Sequence, residues 1–279
     1  MIKRKFVYAS RCLQGRYSKR TLSSLLDAFG GTSALLHHGS RVLVKPNINF
    51  PTRESGVNTN PAIVESLVQL LMDSGVAEVA IGEGSGIESE TSMIFKVTGY
   101  DEIAERTSAK LIDFDASEKM KLEVPNGLAL KDLEIPKPLF DYDFLINVPV
   151  AKTSICTTAT LCLKNLMGIL SKRYKVKAHL SGLGQALVDI HKAVKPELNI
   201  LDATVGMEGF GPISGTPKRI NWILMSRSAV ELDSIAAKLM GIEPSDIEHL
   251  KLASEQGLGT IEANEIDLSG IDLEKDSAR

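Results

Sequence analysis

The strongest constraint in this sequence is the alternation of short β-branched runs with amphipathic segments. Residues 41–45 form such a run, and after a polar loop Asn60 and Pro61 open an amphipathic segment with a capping residue and a proline at the first helical position. Gly75 ends that segment, and the next apolar run covers 77–81. This strand–helix–strand order predicts two parallel strands that are joined by a right-handed crossover.

The same alternation continues along the rest of the chain. It predicts strands at 110–114, 144–148, 198–201 and 221–225, and helices near 157–170, 183–194, 230–240 and 247–256. Between 120 and 138 two alternating runs flank a Pro-Asn-Gly turn, which predicts a small β-hairpin insertion. The predicted fold class is therefore α/β, with a mainly parallel sheet flanked by helices. We expect one domain over 1–270, followed by a charged tail at 271–279.

The composition excludes several classes of protein. The 32 basic residues against 35 acidic ones give a net charge of −3, which lends little support to nucleic-acid binding. No run approaches the roughly 20 apolar residues that span a membrane. The first residues lack the apolar core of a secretory signal. We therefore expect a cytoplasmic protein with neither a nucleic-acid nor a membrane partner.

The three cysteines limit the cofactors that the chain can hold by itself. An iron–sulfur cluster of the usual kind needs four thiolates, and a structural zinc site needs four closely spaced Cys or His ligands. Cys12, Cys156 and Cys162 supply neither, so no self-contained iron–sulfur cluster is expected. An odd number of thiols also argues against a disulfide framework and fits a reducing compartment.

Charged or glycine-rich segments follow the carboxyl ends of the predicted strands. They are 45–47, 82–86, 149–153 and 202–212. In open parallel sheets, ligands bind where the carboxyl ends of strands and the amino termini of helices converge. We therefore expect these segments to enclose one site.

The glycines in these segments have two interpretations. The segment 82–86 begins like a dinucleotide-binding fingerprint, but Ile87 stands where the third glycine belongs. Its backbone amides can still meet an anion, or the glycines can simply form a turn. The same alternatives apply to Gly209 and Gly211, which follow the carboxylate of Glu208.

A polar stripe is predicted inside the expected helix at 157–170. Thr157, Thr160, Lys164 and Gly168 fall at spacings of three, four and four, which places them on one face of a helix. The lysine either extends to solvent or meets an anionic ligand. Because Lys152 precedes the same segment, a paired-lysine anion site is predicted.

Familiar catalytic motifs are missing from the sequence. It contains neither a Gly-x-Ser-x-Gly elbow nor a His-Glu-x-x-His motif. His179 lies between a basic stretch and a turn and is the first histidine to consider for ligand contact, against a plain surface role. Asp202 and Asp233 are candidates for a hard-cation site, against solvated or capping roles.

Seven segments form an ordered set of motifs between about residue 42 and residue 259. They are 44–47 (VKPN), 58–61 (NTNP), 82–85 (GEGS), 147–153 (NVPVAKT), 163–168 (LKNLMG), 202–212 and 233–236 (DSIA). In this order they resemble the bacterial and archaeal family called domain of unknown function 362. Many members of that family carry a ferredoxin-like module and are described as iron–sulfur proteins, which implies redox work.

This chain keeps most of the family pattern. The matching residues are Lys45, Asn47, Glu83, Lys152, Lys164, Asn165, Glu208 and Asp233. It departs at Ser154, where relatives commonly have histidine after Lys-Thr, and at 228–229, where Asp-Pro often begins the late helix. The chain lacks the ferredoxin-like module, so the resemblance implies that any electron partner is a separate ferredoxin-like protein.

The leading hypothesis is a protein that binds a small phosphate or carboxylate compound at the carboxyl edge of the sheet. If it is an enzyme, the resemblance favours an oxidoreductase, with Glu83, Glu208 and Lys164 as the catalytic candidates. The expected ligand contacts are Lys45, Asn47, Gly84, Ser85, Lys152, Thr153, Thr160, Asn165, His179, Gly209 and Gly211. Two alternatives stay open: a non-catalytic binding or accessory protein, and a carboxylate-based metal enzyme. The substrate, the cofactor and a homo-oligomeric state are left open.

Overall fold

Ten strands form the central sheet of the computed structural model, which describes residues 5–12, 19–87 and 89–277. Two further strands form a separate antiparallel hairpin. In chain order the strands are β1 (Lys5–Arg11), β2 (Arg41–Pro46), β3 (Glu78–Glu83), β4 (Lys110–Asp113), β5 (Lys119–Glu123), β6 (Asp132–Pro136), β7 (Phe144–Val148), β8 (Val150–Ser154), β9 (Thr158–Thr160), β10 (Leu198–Glu208), β11 (Thr216–Ser226) and β12 (Ile266–Ser269). The hairpin of β5 and β6 confirms the predicted insertion.

The predicted helices near 183–194, 230–240 and 247–256 are confirmed. The helices of the described chain are α1 (Lys19–Ala28), α2 (Thr32–Leu35), α3 (Pro61–Asp73), α4 (Thr91–Thr98), α5 (Tyr100–Thr107), α6 (Cys162–Asn165), α7 (Lys172–Leu180), α8 (Leu183–Ala193), α9 (Ala229–Leu239), α10 (Glu248–Glu255) and α11 (Leu273–Asp276). At the start of α3 the Asn60 side chain accepts a hydrogen bond from the amide of Ala62, and Gly75 follows the helix with a φ of +83°. Both ends of α3 therefore match the signals in the sequence.

The mainly parallel sheet that the alternation predicts is confirmed. Its strand order is β12-β1-β11-β10-β7-β2-β3-β4, and β8 pairs with both β10 and β9. The consecutive pairs from β10 to β4 are all parallel, whereas β11 is antiparallel to both of its neighbours. The carboxyl ends of β7, β2 and β3 therefore lie side by side at one edge of the sheet.

Helices cover both faces of this sheet. On β2, Val42 and Val44 belong to the same buried cluster as Leu67 of α3. The residue between them, Leu43, belongs to a cluster on the opposite face together with Leu187 of α8. Successive side chains of a strand point to opposite faces, and a central parallel strand is buried on both, which explains its continuous apolar run.

The prediction of one helix over 157–170 is wrong. The segment forms β9, the short helix α6 and a 3-10 turn at Leu166–Ile169. Threonines are β-branched and favour strands, and Thr158 has a φ of +62°, which a continuous helix excludes. The polar stripe on one helix face therefore does not exist, although several of its residues reach the same place by another route.

The strands predicted at 198–201 and 221–225 are much longer in the structure. β10 and β11 each have 11 residues and pair along their length as an antiparallel hairpin. Asp202 and Glu208 consequently lie within β10 and not in a loop that follows it.

None of the helices of the described residues is long and apolar enough to cross a membrane.

Candidate functional site

A cavity of about 230 Å³ lies where the carboxyl ends of β2 and β3 meet the 3-10 turn after α6. We call it the lysine cavity. The polar side chains that line it are Lys45, Asn47, Asn49, Glu83, Ser85, Ser154, Cys156, Thr160, Lys164, Asn165, Lys175 and His179. The predicted segments 45–47 and 82–86 line this cavity, segment 202–212 reaches it through Pro212, and segment 149–153 adjoins it at Ser154.

The floor of the lysine cavity is a buried ion pair between Lys45 and Glu83. The Lys45 Nζ lies 2.7 Å from Glu83 Oε1 and 2.9 Å from Oε2. The same carboxylate accepts hydrogen bonds from the amides of Ile48 and Gly84. Burial lowers the pKa of Lys45, and the Glu83 charge opposes that effect. Each charge of the pair is therefore compensated inside the protein.

Gly168 lets the 3-10 turn approach this ion pair closely. A Cβ atom at position 168 would overlap Glu83 Oε1 and the Lys45 Nζ. The LKNLMG motif therefore ends in glycine because backbone packs directly against the pair.

Three asparagines connect the neighbouring strands beside the ion pair. Asn165 donates to the carbonyl of Pro46 at 3.2 Å and to Asn147 Oδ1 at 2.7 Å. Its own Oδ1 accepts from Asn47 Nδ2 at 3.0 Å. Asn147 is not among the residues predicted for the site, although it begins one of the family motifs.

Lys164 is a lysine of the cavity that has no carboxylate partner in the described part of the chain. Its Nζ donates to Ser154 Oγ at 2.6 Å and to Thr157 Oγ1 at 2.8 Å. Among the described residues no carboxylate lies within 4 Å of this ammonium group. Burial lowers the pKa of Lys164 to about 8. Because an ammonium has three N–H donors, one remains for a ligand.

Two further lysines add positive charge around the cavity. Lys175 donates to the carbonyls of Gly84 and Ser85 at 3.1 and 2.6 Å, and its Nζ lies 3.8 Å from the Asp115 carboxylate. Burial lowers its pKa to about 8. Lys152 is fully buried, donates to the carbonyl of Val57 at 2.7 Å and does not line the cavity. Its pKa falls to about 7 through burial and the Lys164 charge.

In the glycine-rich segment at 82–86, the amides of Gly84 and Ser85 already donate within the protein. The amide of Gly84 donates to Glu83 Oε1, and that of Ser85 donates to Thr91 Oγ1 and Asp115 Oδ2. These two amides are therefore engaged within the protein, and the loop holds the Lys175 and Asp115 side chains beside the cavity.

Several predicted site residues lie elsewhere. Glu208 is exposed at the end of β10 and pairs with Lys218 at 2.6 Å. Thr153 donates to the carbonyl of Gly209 at 3.0 Å, and Gly211 packs against the carbonyl of Thr153. Glu208, Gly209 and Gly211 lie at the outer end of the β10–β11 hairpin and Thr153 lies on β8, and none of the four lines the lysine cavity.

The two carboxylates considered for a metal have structural contacts. Asp202 accepts from the amides of Asn60 and Thr204. Asp233 accepts from the amides of Cys162 and Leu163 at 2.7 and 2.9 Å and so fixes the start of α6, and burial raises its pKa to about 7. Within the described ranges no group of three or more His, Cys, Asp or Glu residues is arranged to hold a metal ion.

A second cavity, of about 320 Å³, lies at the amino end of α3. Its arginines already have acidic partners: Arg106 Nε lies 2.9 Å from Glu65, and Arg53 lies 3.2 Å from Glu102. Asp202 adds a negative charge to its wall. The positive charge available to an anion is therefore in the lysine cavity and not here.

Comparison with known sequences identifies one family. The family described as Domain of unknown function (DUF362) matches residues 42–238. A thylakoid-associated protein from Synechocystis sp. is 27% identical over 248 residues, which are 86% of this chain and 74% of that protein.

Comparison with solved structures shows a similar fold. The lactate racemase apoprotein from Thermoanaerobacterium thermosaccharolyticum has a TM-score of 0.53 and 15% identity, over 82% of this chain and 55% of that chain. A structural-genomics crystal structure of a Thermotoga maritima protein has a TM-score of 0.43 and 12% identity, over 85% of this chain and 59% of that chain. The chain thus spans less than two thirds of either solved chain. At 15% identity the first likeness concerns the α/β fold alone.

Proposed function

The chain belongs to the family described as Domain of unknown function (DUF362), and from this premise we propose that it binds a small phosphate or carboxylate compound in the lysine cavity. The match over residues 42–238 confirms the family that the sequence motifs predicted. The family name assigns no chemistry, so the proposal depends on this chain's own residues.

The observation that carries the proposal is the environment of Lys164. Its ammonium lies at the wall of the cavity and bonds only to neutral hydroxyls in the part of the chain that is described. A partly buried ammonium without a carboxylate is unfavourable, because burial removes part of its hydration without supplying a counter-charge. An anionic ligand would supply that charge and use the third N–H donor.

The balance of charge around the cavity supports the same proposal. Four lysines lie in or around the cavity, Lys45, Lys152, Lys164 and Lys175, against the two carboxylates of Glu83 and Asp115, which pair with Lys45 and Lys175. The excess positive charge favours a ligand with one or two negative charges. The volume of about 230 Å³ lies below the roughly 300–1,000 Å³ of drug-sized pockets, which indicates a small metabolite.

Lys164 also favours a second candidate function, catalysis by proton transfer. A general acid or base works best when its pKa lies near the working pH, and burial brings the pKa of Lys164 to about 8. Glu83 suits that role less, since its carboxylate is already bound by Lys45 and two amides.

The oxidoreductase activity, the ferredoxin-like partner and the cytoplasmic location stay predictions. The Synechocystis relative is described as thylakoid-associated.

Thermal unfolding with added anions tests the proposed binding. Phosphate and small carboxylates should raise the melting temperature of the wild type above that in chloride of equal ionic strength, because a ligand of the folded state stabilises it by mass action. Lys164→Gln should abolish the rise. The matched control is Lys251→Gln, at an exposed position on α10, and it should keep the rise. A full shift in Lys164→Gln, or no shift with any anion in the wild type, would overturn the proposal.

A further inference from the structure

We infer that the anion bound in the lysine cavity carries an apolar group, which extends from its charged end to the mouth of the cavity. This inference rests on the proposed function and adds the class of ligand to it. It comes from the residues that line the cavity, which change from buried and polar to exposed and mostly apolar.

The inner wall of the cavity is polar and closed to solvent. Lys45, Glu83 and Asn165 are each at most 2% exposed, and they bond to one another. Lys164 is more exposed than these residues and has no carboxylate partner in the described chain. The charged end of a ligand is therefore expected at Lys164, outside the buried ion pair.

The outer wall of the cavity is mostly apolar. Ile87 lines it and is 44% exposed, and Met167 and Pro212 are partly exposed parts of the same lining. Cys156 is also exposed there, and a free thiol packs as a small apolar group. Burial lowers the pKa of His179 below its usual value, so the ring of this exposed lining residue is mostly uncharged at neutral pH. A ligand that extends from the ammonium group to solvent thus passes an apolar surface.

Exposed apolar side chains continue from the lining onto the surface around the mouth. Ile155 lies between two residues of the lining and is 75% exposed. Phe210 and Ile213 belong to the segment that contributes Pro212, and they are 80% and 36% exposed. The amide of Ile155 donates to the carbonyl of Gly211 at 3.2 Å, which holds the two segments side by side. We call Ile155, Phe210 and Ile213 the apolar rim.

The apolar rim accompanies the cavity that contains Lys164. Single exposed apolar residues are common, but a group of them beside a cavity is typical of a binding site. In the described part of the chain, no exposed large apolar side chain lines the other cavity.

Charge and apolar surface together define the class of ligand. Lys164 favours an anionic end, and the outer wall and the rim favour an apolar end, because contact removes apolar surface from water. The ligand class is therefore an amphipathic anion, a carboxylate or a phosphate ester that carries an aliphatic or aromatic group of a few carbon atoms.

Titration calorimetry with homologous anions tests this inference. One series is acetate, butyrate and hexanoate, and the other is methyl, butyl and hexyl phosphate. Within a series the longest member should bind at least about tenfold more tightly than the shortest, since each fully buried methylene group adds up to about fourfold in affinity. The series that binds more tightly identifies the carboxylate or the phosphate as the preferred anion.

Variants locate the effect at the apolar rim. Ile155→Ser and Phe210→Ser should each reduce the rise in affinity with chain length, and both side chains are exposed, so the fold should tolerate the changes. The matched control is Leu128→Ser, which replaces a side chain that is 61% exposed in the turn between β5 and β6 and does not line the cavity. This control should keep the full rise.

The outcomes separate this inference from the proposed function. Equal affinity for the short and long members of each series would overturn the inference while leaving anion binding intact, as would a full rise in both rim variants. Failure of every anion to bind, or binding of the neutral analogue hexanol as tightly as hexanoate, would overturn the proposed function itself.

Discussion

Lys45 and Lys164 line the same cavity but meet opposite surroundings. Lys45 is fully buried on β2, and its charge is paired with Glu83, whose carboxylate also receives two amides. Lys164 lies on α6 and, among the described residues, bonds only to hydroxyl groups. The Lys45 ammonium is thus neutralised as part of the fold, whereas the Lys164 ammonium has no counter-charge among the described residues, which is why we propose it as the ligand contact.

The largest expected effect on stability comes from breaking the ion pair between Lys45 and Glu83. Glu83→Gln should lower the free energy of unfolding by about 3–5 kcal/mol, because it leaves the buried Lys45 charge uncompensated. Chemical denaturation of both proteins measures the difference. The control, Glu208→Gln, breaks an exposed pair with Lys218 and should cost at most ~1 kcal/mol. Similar losses in the two variants would refute a structural role for the Lys45–Glu83 pair.

A somewhat smaller effect is expected from crowding the same pair. Gly168→Ala places a methyl group against Glu83 Oε1 and Lys45 Nζ, and overpacking of this kind costs about 1–3 kcal/mol. Gly86→Ala is a suitable control, because its Cβ would meet the Asn49 carbonyl oxygen at an ordinary 3.4 Å. If denaturation curves show equal stability for both variants, the close approach of Gly168 is unimportant.

The affinity of Lys164 for an anion should depend on pH. Anion binding requires the charged form of Lys164, whose pKa is lowered to about 8 by burial. Affinity should therefore hold below pH 8 and fall above it, by up to ~1.4 kcal/mol per pH unit. An ordinary lysine would keep its charge to about pH 10.

The charged neighbours of Lys164 need a control in this titration. Lys152 and Lys175 also titrate early, with pKa values of about 7 and 8. Lys164→Arg keeps a charge at that position at every accessible pH, so its residual pH dependence reports the two neighbours. Identical profiles for wild type and Lys164→Arg would mean that Lys164 is not the titrating group.

The smallest expected effect is that of Lys164 on stability. Lys164→Gln should either raise the free energy of unfolding at pH 7 or lower it by at most ~0.5 kcal/mol, because the folded protein no longer holds a partly buried ammonium without a counter-charge. Denaturation in a buffer without phosphate or carboxylate measures this. A loss comparable to that of Glu83→Gln would show that Lys164 supports the fold as Lys45 does.

The parallel half of the fold was readable from the sequence. The predicted unit of β2, α3 and β3 forms as expected because each signal was local: β-branched runs, the Asn60 cap and a glycine after the helix. Segments 45–47 and 82–86 then meet at one edge, since the carboxyl ends of neighbouring parallel strands must do so.

The antiparallel half was misread because long-range pairing overrides local pattern. Residues after Leu201 look like a glycine-rich loop, but pairing with β11 extends β10 to Glu208. The fourth segment therefore carries Asp202 into the other cavity and Glu208 to an exposed end. Strand propensity depends on the neighbouring strand, which a local pattern does not contain.

The polar residues of segment 157–168 do lie near one another, but they do not share a helix face as the sequence predicted. Thr157 bonds to Lys164, Thr160 lines the cavity and Gly168 packs against the ion pair because a strand, a short helix and a 3-10 turn fold around the edge of the sheet. Polar residues close in sequence thus predicted a shared site without predicting its geometry.

A crystal structure with a bound small anion would show directly whether Lys164 holds the anion while Lys45 stays paired with Glu83. We expect an anionic oxygen about 2.7–2.9 Å from Lys164 Nζ, with the Lys45–Glu83 pair intact. An anion bound to Lys45 in place of Glu83, or one bound among the arginines of the other cavity and absent from Lys164, would contradict it.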